Sequence, residues 1–168
     1  MERLVRTLAT ARTTLEPQVA SHAAEMFAVL QDPRIYEYEN EPPTSEAWLR
    51  ERYAKLETRR SGDGTEHWLN WIVRVASGEA IGYVQASVEP GGRAFIAYVF
   101  ASQWWGQGLA HEATRAAMDE LREVYGVKRF AAVFKRRNAR SRALLVRLGF
   151  EAVILPDIEA DEDAMERS

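Results

Sequence analysis

The chemistry-bearing stretch of this chain runs from Gln103 to Ala113 and reads Gln-Trp-Trp-Gly-Gln-Gly-Leu-Ala-His-Glu-Ala. Gly106 and Gly108 sit between a strand-like run, Phe95 to Phe100, and a helix-like run, Leu109 to Tyr125. A glycine-rich turn from strand into helix leaves several backbone N–H groups without intrahelical acceptors, all pointing one way. Those groups and the helix dipole suit an anion, above all the pyrophosphate of a nucleotide cofactor. A plain tight turn has the same pattern, so the motif needs its surroundings.

The elements that must position this turn are legible from hydrophobic period. Leu4 to Leu15 leans to strand, and Val19, Ala23, Met26, Phe27 and Leu30 have helical spacing that Asp32-Pro33 ends. Thr44-Ser45 is an N-cap for a second helix with Trp48, Leu49, Tyr53 and Leu56 on its stripe. The period then changes to two. Trp68 to Val75, Ala80 to Val88 and Ala94 to Phe100 are three short strands joined by tight turns, an antiparallel meander. After the glycine turn, Leu109, Ala113, Ala116, Ala117, Leu121 and Val124 share a helix face that Gly126 ends. Arg129 to Phe134 is a strand, Asn138 to Leu148 a helix closing at Gly149, and Phe150 to Ile154 a last strand. This order implies parallel pairing of the strands flanking the first of these helices.

Composition narrows the classes. The 168 residues suit one domain, here 1–155, followed by an acidic tail from 156 to 168 that reads as solvated. A net charge of −3 argues against general nucleic-acid binding. There is no cysteine, hence no thiolate site, and His22, His67 and His111 lack paired ligand spacing, so no metal is expected. No apolar run approaches the roughly 20 residues that cross a bilayer. The expectation is a cytoplasmic α/β protein.

The element order, together with Trp105-Gly106-Gln107-Gly108-Leu109-Ala110-x-Glu112-Ala113, resembles the GNAT N-acetyltransferases, more narrowly their RimJ/RimL branch. A second block, Asn138-x-x-Ser141-x-x-x-Leu145-x-x-Leu148-Gly149-Phe150, resembles the same branch. The resemblance spans roughly residues 3 to 154. It implies a mixed α/β sheet whose fourth and fifth strands splay apart, and acetyl-CoA as co-substrate with no metal. It places Tyr98, Val99 and Phe100 beside the pantetheine arm through their main chain. The pyrophosphate falls on amides from Gly106 through Gln107, Gly108, Leu109 and Ala110 to His111, at the start of a helix. The family's motif, Gln or Arg-x-x-Gly-x-Gly or Ala, fits in two frames, opening at Gln103 or at Trp105, and the branch pattern favours Trp105. Gln107 then stands where a cation is common, and Lys135, Arg136, Arg137, Arg140 or Arg142 are the cations available to help.

The resemblance also implies direct attack of an amine on the thioester through a tetrahedral intermediate, with a main-chain N–H near Val99 or Phe100 polarising the carbonyl. Many relatives carry a tyrosine where Leu145 stands, so Ser141 is the expected donor to the leaving thiolate, and Asn138 is expected to bond the pantetheine amides. The general base stays open among Glu41, Glu39, Glu66, Glu89, His67 and a bound water. The amine acceptor, a small molecule or a protein N-terminus, enters by Tyr36, Glu37, Tyr38, Glu39 and Glu41. Relatives end on a further strand after the sixth, and nothing beyond Ile154 reads as one. The strand is then missing or comes from a partner chain, which favours a homodimer. The alternatives to an enzyme are a non-catalytic acyl-CoA-binding module and a GNAT-fold assembly subunit.

Overall fold

A computed structural model describes residues 5–168. One eight-stranded mixed sheet has the order β1-β2-β3-β4-β5-β6-β8-β7. Its strands are β1 (Leu8–Ala9), β2 (Thr13–Pro17), β3 (His67–Val75), β4 (Ala80–Val88), β5 (Arg93–Phe100), β6 (Arg129–Lys135), β7 (Glu151–Val153) and β8 (Glu162–Arg167). Among the described residues four α-helices flank it: α1 (Ala23–Val29), α2 (Glu46–Leu56), α3 (Leu109–Tyr125) and α4 (Ala139–Arg147). Among the described residues no helix is long and apolar enough to cross a membrane.

Alternation along the strands divides the core into two layers. Leu69, Trp71, Val73, Val84, Ala94, Ile96 and Phe100 pack with Leu109, Ala113, Ala117 and Leu121 of α3 and with Leu144, Leu145 and Leu148. Ile72 and Ala80 turn to the other face and meet Ala23, Met26, Leu49 and Tyr53 of α1 and α2. The expected N-cap is present, with Ser45 Oγ accepting from the Trp48 amide at 3.0 Å. Gly82 lets β4 close on the end of β5, because a Cβ there would lie 2.1 Å from the Val99 carbonyl oxygen.

Two expected boundaries move. The first strand breaks into the hairpin β1–β2, because Thr10 donates its amide to the Thr13 carbonyl at 2.8 Å and its hydroxyl accepts the Thr13 amide at 2.9 Å. Leu4, the first residue of that expected strand, lies outside the described residues. The first helix starts late, at Ala23, after a short 3₁₀ turn over Ala20–His22.

The acidic segment from 156 is not a solvated tail. It holds β8, which pairs antiparallel with β6 from Phe130↔Arg167 to Lys135↔Glu162 and with β7 on its other edge. Charge hid this strand in the sequence and secures it in the fold. Lys135 contacts Glu159 at 2.8 Å and Asp161 at 3.1 Å, Arg136 contacts Asp163 at 2.9 Å, and Arg142 reaches the same carboxylate. Ala164 and Met165 supply the buried centre. The missing-strand reading is therefore corrected, and the gap that motivated a partner strand and a homodimer is filled by the chain itself.

Met165→Ala tests β8 as a core strand. It is expected to cost about 2–5 kcal/mol, read as a lowered urea midpoint. A midpoint within error of the parent would remove β8 from the cooperative fold.

Candidate functional site

The site begins where two parallel strands part. β5 and β6 pair only at Arg93↔Arg129, Ala94↔Phe130 and Phe95↔Ala131, whereas β5 stays paired with β4 through Gly82↔Phe100. From Ile96 onward the two strands line opposite walls of a cleft of about 340 Å³, with Ile96 to Phe100 on one side and Ala132, Val133 and Phe134 on the other. Ala101 donates its amide to Ile81 on β4 at 2.9 Å. By strand alternation Val99 also turns its main chain to β4, while Tyr98 and Phe100 turn theirs to the cleft. Of the two expected oxyanion donors, the Phe100 amide is the one facing the cleft. The Phe100 carbonyl accepts from the Trp105 indole at 2.8 Å, which ties the end of the open edge to the glycine loop.

That loop has the geometry its glycines permit. Gly106 and Gly108 have φ of 77° and 80°, and Gly108 is the N-cap of α3 with no side chain capping it. The first paired amide is that of Glu112, which donates to Gly108 at 3.0 Å. Among the described residues, nothing accepts from the amides of Gly106 to His111, and the α3 dipole adds positive potential there. The loop is held from behind. Arg12 donates from Nη1 to the Gln107 carbonyl at 2.8 Å, and Glu112 accepts from the Arg12 amide at 2.9 Å and from the Thr10 hydroxyl at 2.6 Å. Thr10 pulls the Glu112 carboxyl down, burial opposes it, and Arg12 adds to the lowering, leaving it below the usual glutamate range. Trp105 lines the cleft, whereas Gln103 and Gln107 lie exposed outside it. The motif frame opening at Trp105 is thus the one with its first side chain in the site.

Cations are divided in a way the sequence does not disclose. Lys135, Arg136 and Arg142, expected to help with phosphate, are bound by the carboxylates of the β8 segment. Arg137 lies 5.7 Å from the Tyr38 ring centroid. Arg140 lines the cleft with its guanidinium carbon 3.4 Å from the Trp105 ring centroid, and Arg34 lies 4.8 Å from the same ring. Arg147 and His111 complete the basic lining.

Opposite the loop, the Tyr98 and Ser141 hydroxyls meet at 2.8 Å. Burial pushes the Tyr98 phenol up to about 12. Asn138 is the N-cap of α4, its side-chain oxygen accepting from the Ser141 amide at 3.1 Å, and it lines the cleft. Leu145 is buried in the core and Leu144 faces the cleft, so the position compared with the family's tyrosine is turned away from the site. Glu39 is the one carboxylate in the lining, and burial raises it above the usual glutamate range, with Lys135 opposing and Glu162, Asp161 and Glu159 adding to the rise. Glu41 is exposed and outside the lining. His67 and Glu89 lie at the other end of the meander, where His67 is opposite Val88 and Glu89 contacts Arg93 at 2.7 Å; Glu66 adjoins His67. Among the described residues no group of three or more His, Asp or Glu side chains is placed to hold a metal ion.

Three features escaped sequence reasoning: the Glu112–Arg12–Thr10 clamp, the side chain of Tyr98 and the Arg140–Trp105 stack. Glu112 was visible within the motif, and Tyr98 interrupts an inward run of Ile96 and Phe100 with a hydroxyl. The Arg140 contact carries no local signal, because its partner lies on another element.

Comparison with known proteins agrees with this geometry. Residues 12–151 match the family model described as "Acetyltransferase (GNAT) domain", and the chain belongs to that family. It is 37% identical over 57 residues to the [ribosomal protein uS5]-alanine N-acetyltransferase of Escherichia coli (strain K12), a match covering 34% of this chain and 29% of that one. The matched segment therefore spans less than a third of that curated relative. Among solved structures, RimL, a ribosomal L7/L12 alpha-N-protein acetyltransferase in complex with coenzyme A, superposes with a TM-score of 0.82 at 17% identity, covering 96% of this chain and 97% of that one. The microcin C7 self-immunity acetyltransferase MccE, in complex with acetyl-CoA and AMP, superposes with a TM-score of 0.79 at 16% identity, covering 94% and 93%. At these identities the likeness is one of fold.

The clamp behind the loop predicts an acid-sensitive stability. The folded Glu112 is lowered, so its contribution is present above the unfolded value of about 4.3 and is lost as pH falls through the depressed one. Glu112→Gln is expected to flatten the fall in melting temperature between pH 5 and 3, those pH values being about the usual carboxylate window. An unchanged profile would show that the clamp does not couple to folding.

Proposed function

We propose that this chain is an acetyl-CoA-dependent N-acetyltransferase that modifies a primary amine, on a small molecule or a protein N-terminus. The observation that carries the reading is the conjunction of an unpaired β5 edge with six free amides at the start of α3, in one cleft. The open edge offers the Tyr98 main chain to a linear amide-bearing arm as a neighbouring strand would. The amides of Gly106 to His111 suit its pyrophosphate, and Arg140 adds a cation held over the Trp105 ring. The bound coenzyme A in the RimL structure and acetyl-CoA in MccE, both of this fold, support the same donor.

The residues present then divide the chemistry. Glu39 takes the proton that an ammonium must lose before its nitrogen can attack, directly or through a water, and its raised carboxyl is suited to that task. The Phe100 amide faces the oxygen that gains negative charge as nitrogen bonds to the carbonyl carbon. Ser141 gives its hydroxyl proton to sulfur as the carbon–sulfur bond breaks and the electron pair leaves with the thiolate. The direct route needs no acyl-enzyme, in keeping with a chain that has no cysteine. The named substrates of the uS5-alanine enzyme and of RimL favour a protein N-terminus among acceptors.

Turnover is read as free thiol released from acetyl-CoA with a panel of amines and N-terminal peptides. Activity should fall as pH drops through the raised Glu39 value, and Glu39→Gln should lower kcat about 100-fold and remove that acidic limb. Retention of the limb in Glu39→Gln would reassign the base. Absence of thiol release from the parent chain with every amine offered would overturn the function.

Arg140→Ala is expected to raise the acetyl-CoA Kd about ten-fold, with a shallower salt dependence, because it removes one phosphate-facing cation. An unchanged Kd would assign Arg140 to packing on Trp105 alone.

A further inference from the structure

The hydroxyl of Ser141 is a weak acid with a single proton, so its usefulness depends on where that proton points. Among the described residues its oxygen has one hydrogen-bond partner, the Tyr98 phenol at 2.8 Å. Either oxygen of that pair could donate, and the two polarities have opposite consequences. If Ser141 donated to Tyr98, its proton would be consumed inside the protein. If Tyr98 donates, the Ser141 oxygen acts as acceptor and its own proton is released toward the cleft that both residues line.

The chemistry of the two hydroxyls favours the second polarity, because a phenol is a stronger acid, hence a better donor and a poorer acceptor, than an aliphatic hydroxyl. The Ser141 carbonyl competes for the one phenolic proton, but it lies at 3.4 Å whereas the Ser141 oxygen lies at 2.8 Å, so the hydroxyl is the nearer acceptor. The phenol is half-enclosed on β5 and stays protonated throughout the working pH range. The Ser141 backbone is fixed independently, by its amide bond to Asn138 at 3.1 Å.

We infer that Tyr98 is a positioning residue, a β5 hydroxyl that donates to Ser141 and thereby aims the Ser141 proton at the leaving sulfur. This rests on the acetyltransferase reading above and adds a side-chain role to a residue otherwise credited with main-chain contacts. No proton passes through Tyr98. The Ser141 proton is the one given to the thiolate, and solvent restores it.

A double-mutant cycle on kcat tests the assignment. Tyr98→Phe removes one hydroxyl and keeps the packed volume, and retained affinity for coenzyme A verifies the fold. Tyr98→Phe should lower kcat about ten-fold while the acetyl-CoA KM stays within about two-fold, and Ser141→Ala should lower kcat about 100-fold. The double variant should be no slower than Ser141→Ala alone, since an aiming group has no effect once its target is gone. Unchanged kcat in Tyr98→Phe, full kcat in Ser141→Ala, or losses that multiply in the double variant would each overturn the inference. Those results require a parent chain that turns over. A parent that binds acetyl-CoA but releases no thiol would instead strike the acetyltransferase reading, and this role with it.

Discussion

Three residue pairs hold β5 to β6, and the architecture of the rest follows from their stopping at Phe95↔Ala131. A parallel pair that continued would close the cleft and satisfy the β5 edge. By parting, the strands leave the Tyr98 main chain and the Phe100 amide open on one wall of the cleft. The far edge of β6 is paired along its whole length with β8, in six residue pairs from Phe130 to Lys135, so the strand is held in the sheet although β5 leaves it early. What crosses the gap is made of side chains: the Tyr98–Ser141 contact from β5 to α4, and Trp105, which bonds the end of β5 and carries Arg140.

Electrostatics follow the same division. The segment from Arg129 to Arg142 is strongly basic, and the segment from Asp157 to Glu166 strongly acidic. Folding lays one against the other, so that Lys135, Arg136 and Arg142 are spent on holding β8 while Arg140 remains for the cleft. The same acidic segment acts on a carboxylate in the cleft lining. Glu159, Asp161 and Glu162 add to the upward push that burial gives Glu39. One acidic segment thus completes the sheet, pairs with cations of β6 and α4, and adds to the upward shift of a cleft carboxylate. The result is a cleft lined by amides, guanidinium groups and, among the described residues, a single carboxylate, which on the proposed reading suits a polyanionic donor meeting a cationic acceptor.

How far this was legible in the sequence depended on whether the signal was local. The meander, α3 and the glycine loop were readable because period, turn residues and caps lie within the elements themselves: Ser45 and Asn138 cap as their types predict, and Gly126 ends α3. The parallel β5–β6 pairing was readable because a strand–helix–strand unit leaves little choice. β8 was not readable. Its inward residues are only Ala164 and Met165, and its charges are matched by residues more than twenty positions away. Glu41 and Glu39 could not be separated either, since both lie in one polar segment and only the packing of that segment against the cleft half-buries Glu39 and leaves Glu41 exposed. Tyr98 was assigned to the right wall, but a strand pattern reports which face a side chain takes and not which hydroxyl it meets.

The loop itself shows why the motif extends past its glycines. Positive φ at Gly106 and Gly108 frees the amides, but a loop with so many unpaired donors has little to fix its own shape. Glu112 supplies the restraint from one turn into α3, reaching back to Thr10 and Arg12, and Arg12 in turn holds the Gln107 carbonyl. The carboxylate faces the hairpin and so satisfies donors behind the loop without competing for those in front. A cation in that place would leave the Arg12 guanidinium without its carboxylate and repel it. The acidic residue of the pattern is thus a mechanical part of the loop: it braces the segment that carries six unpaired amides from behind and leaves those amides free.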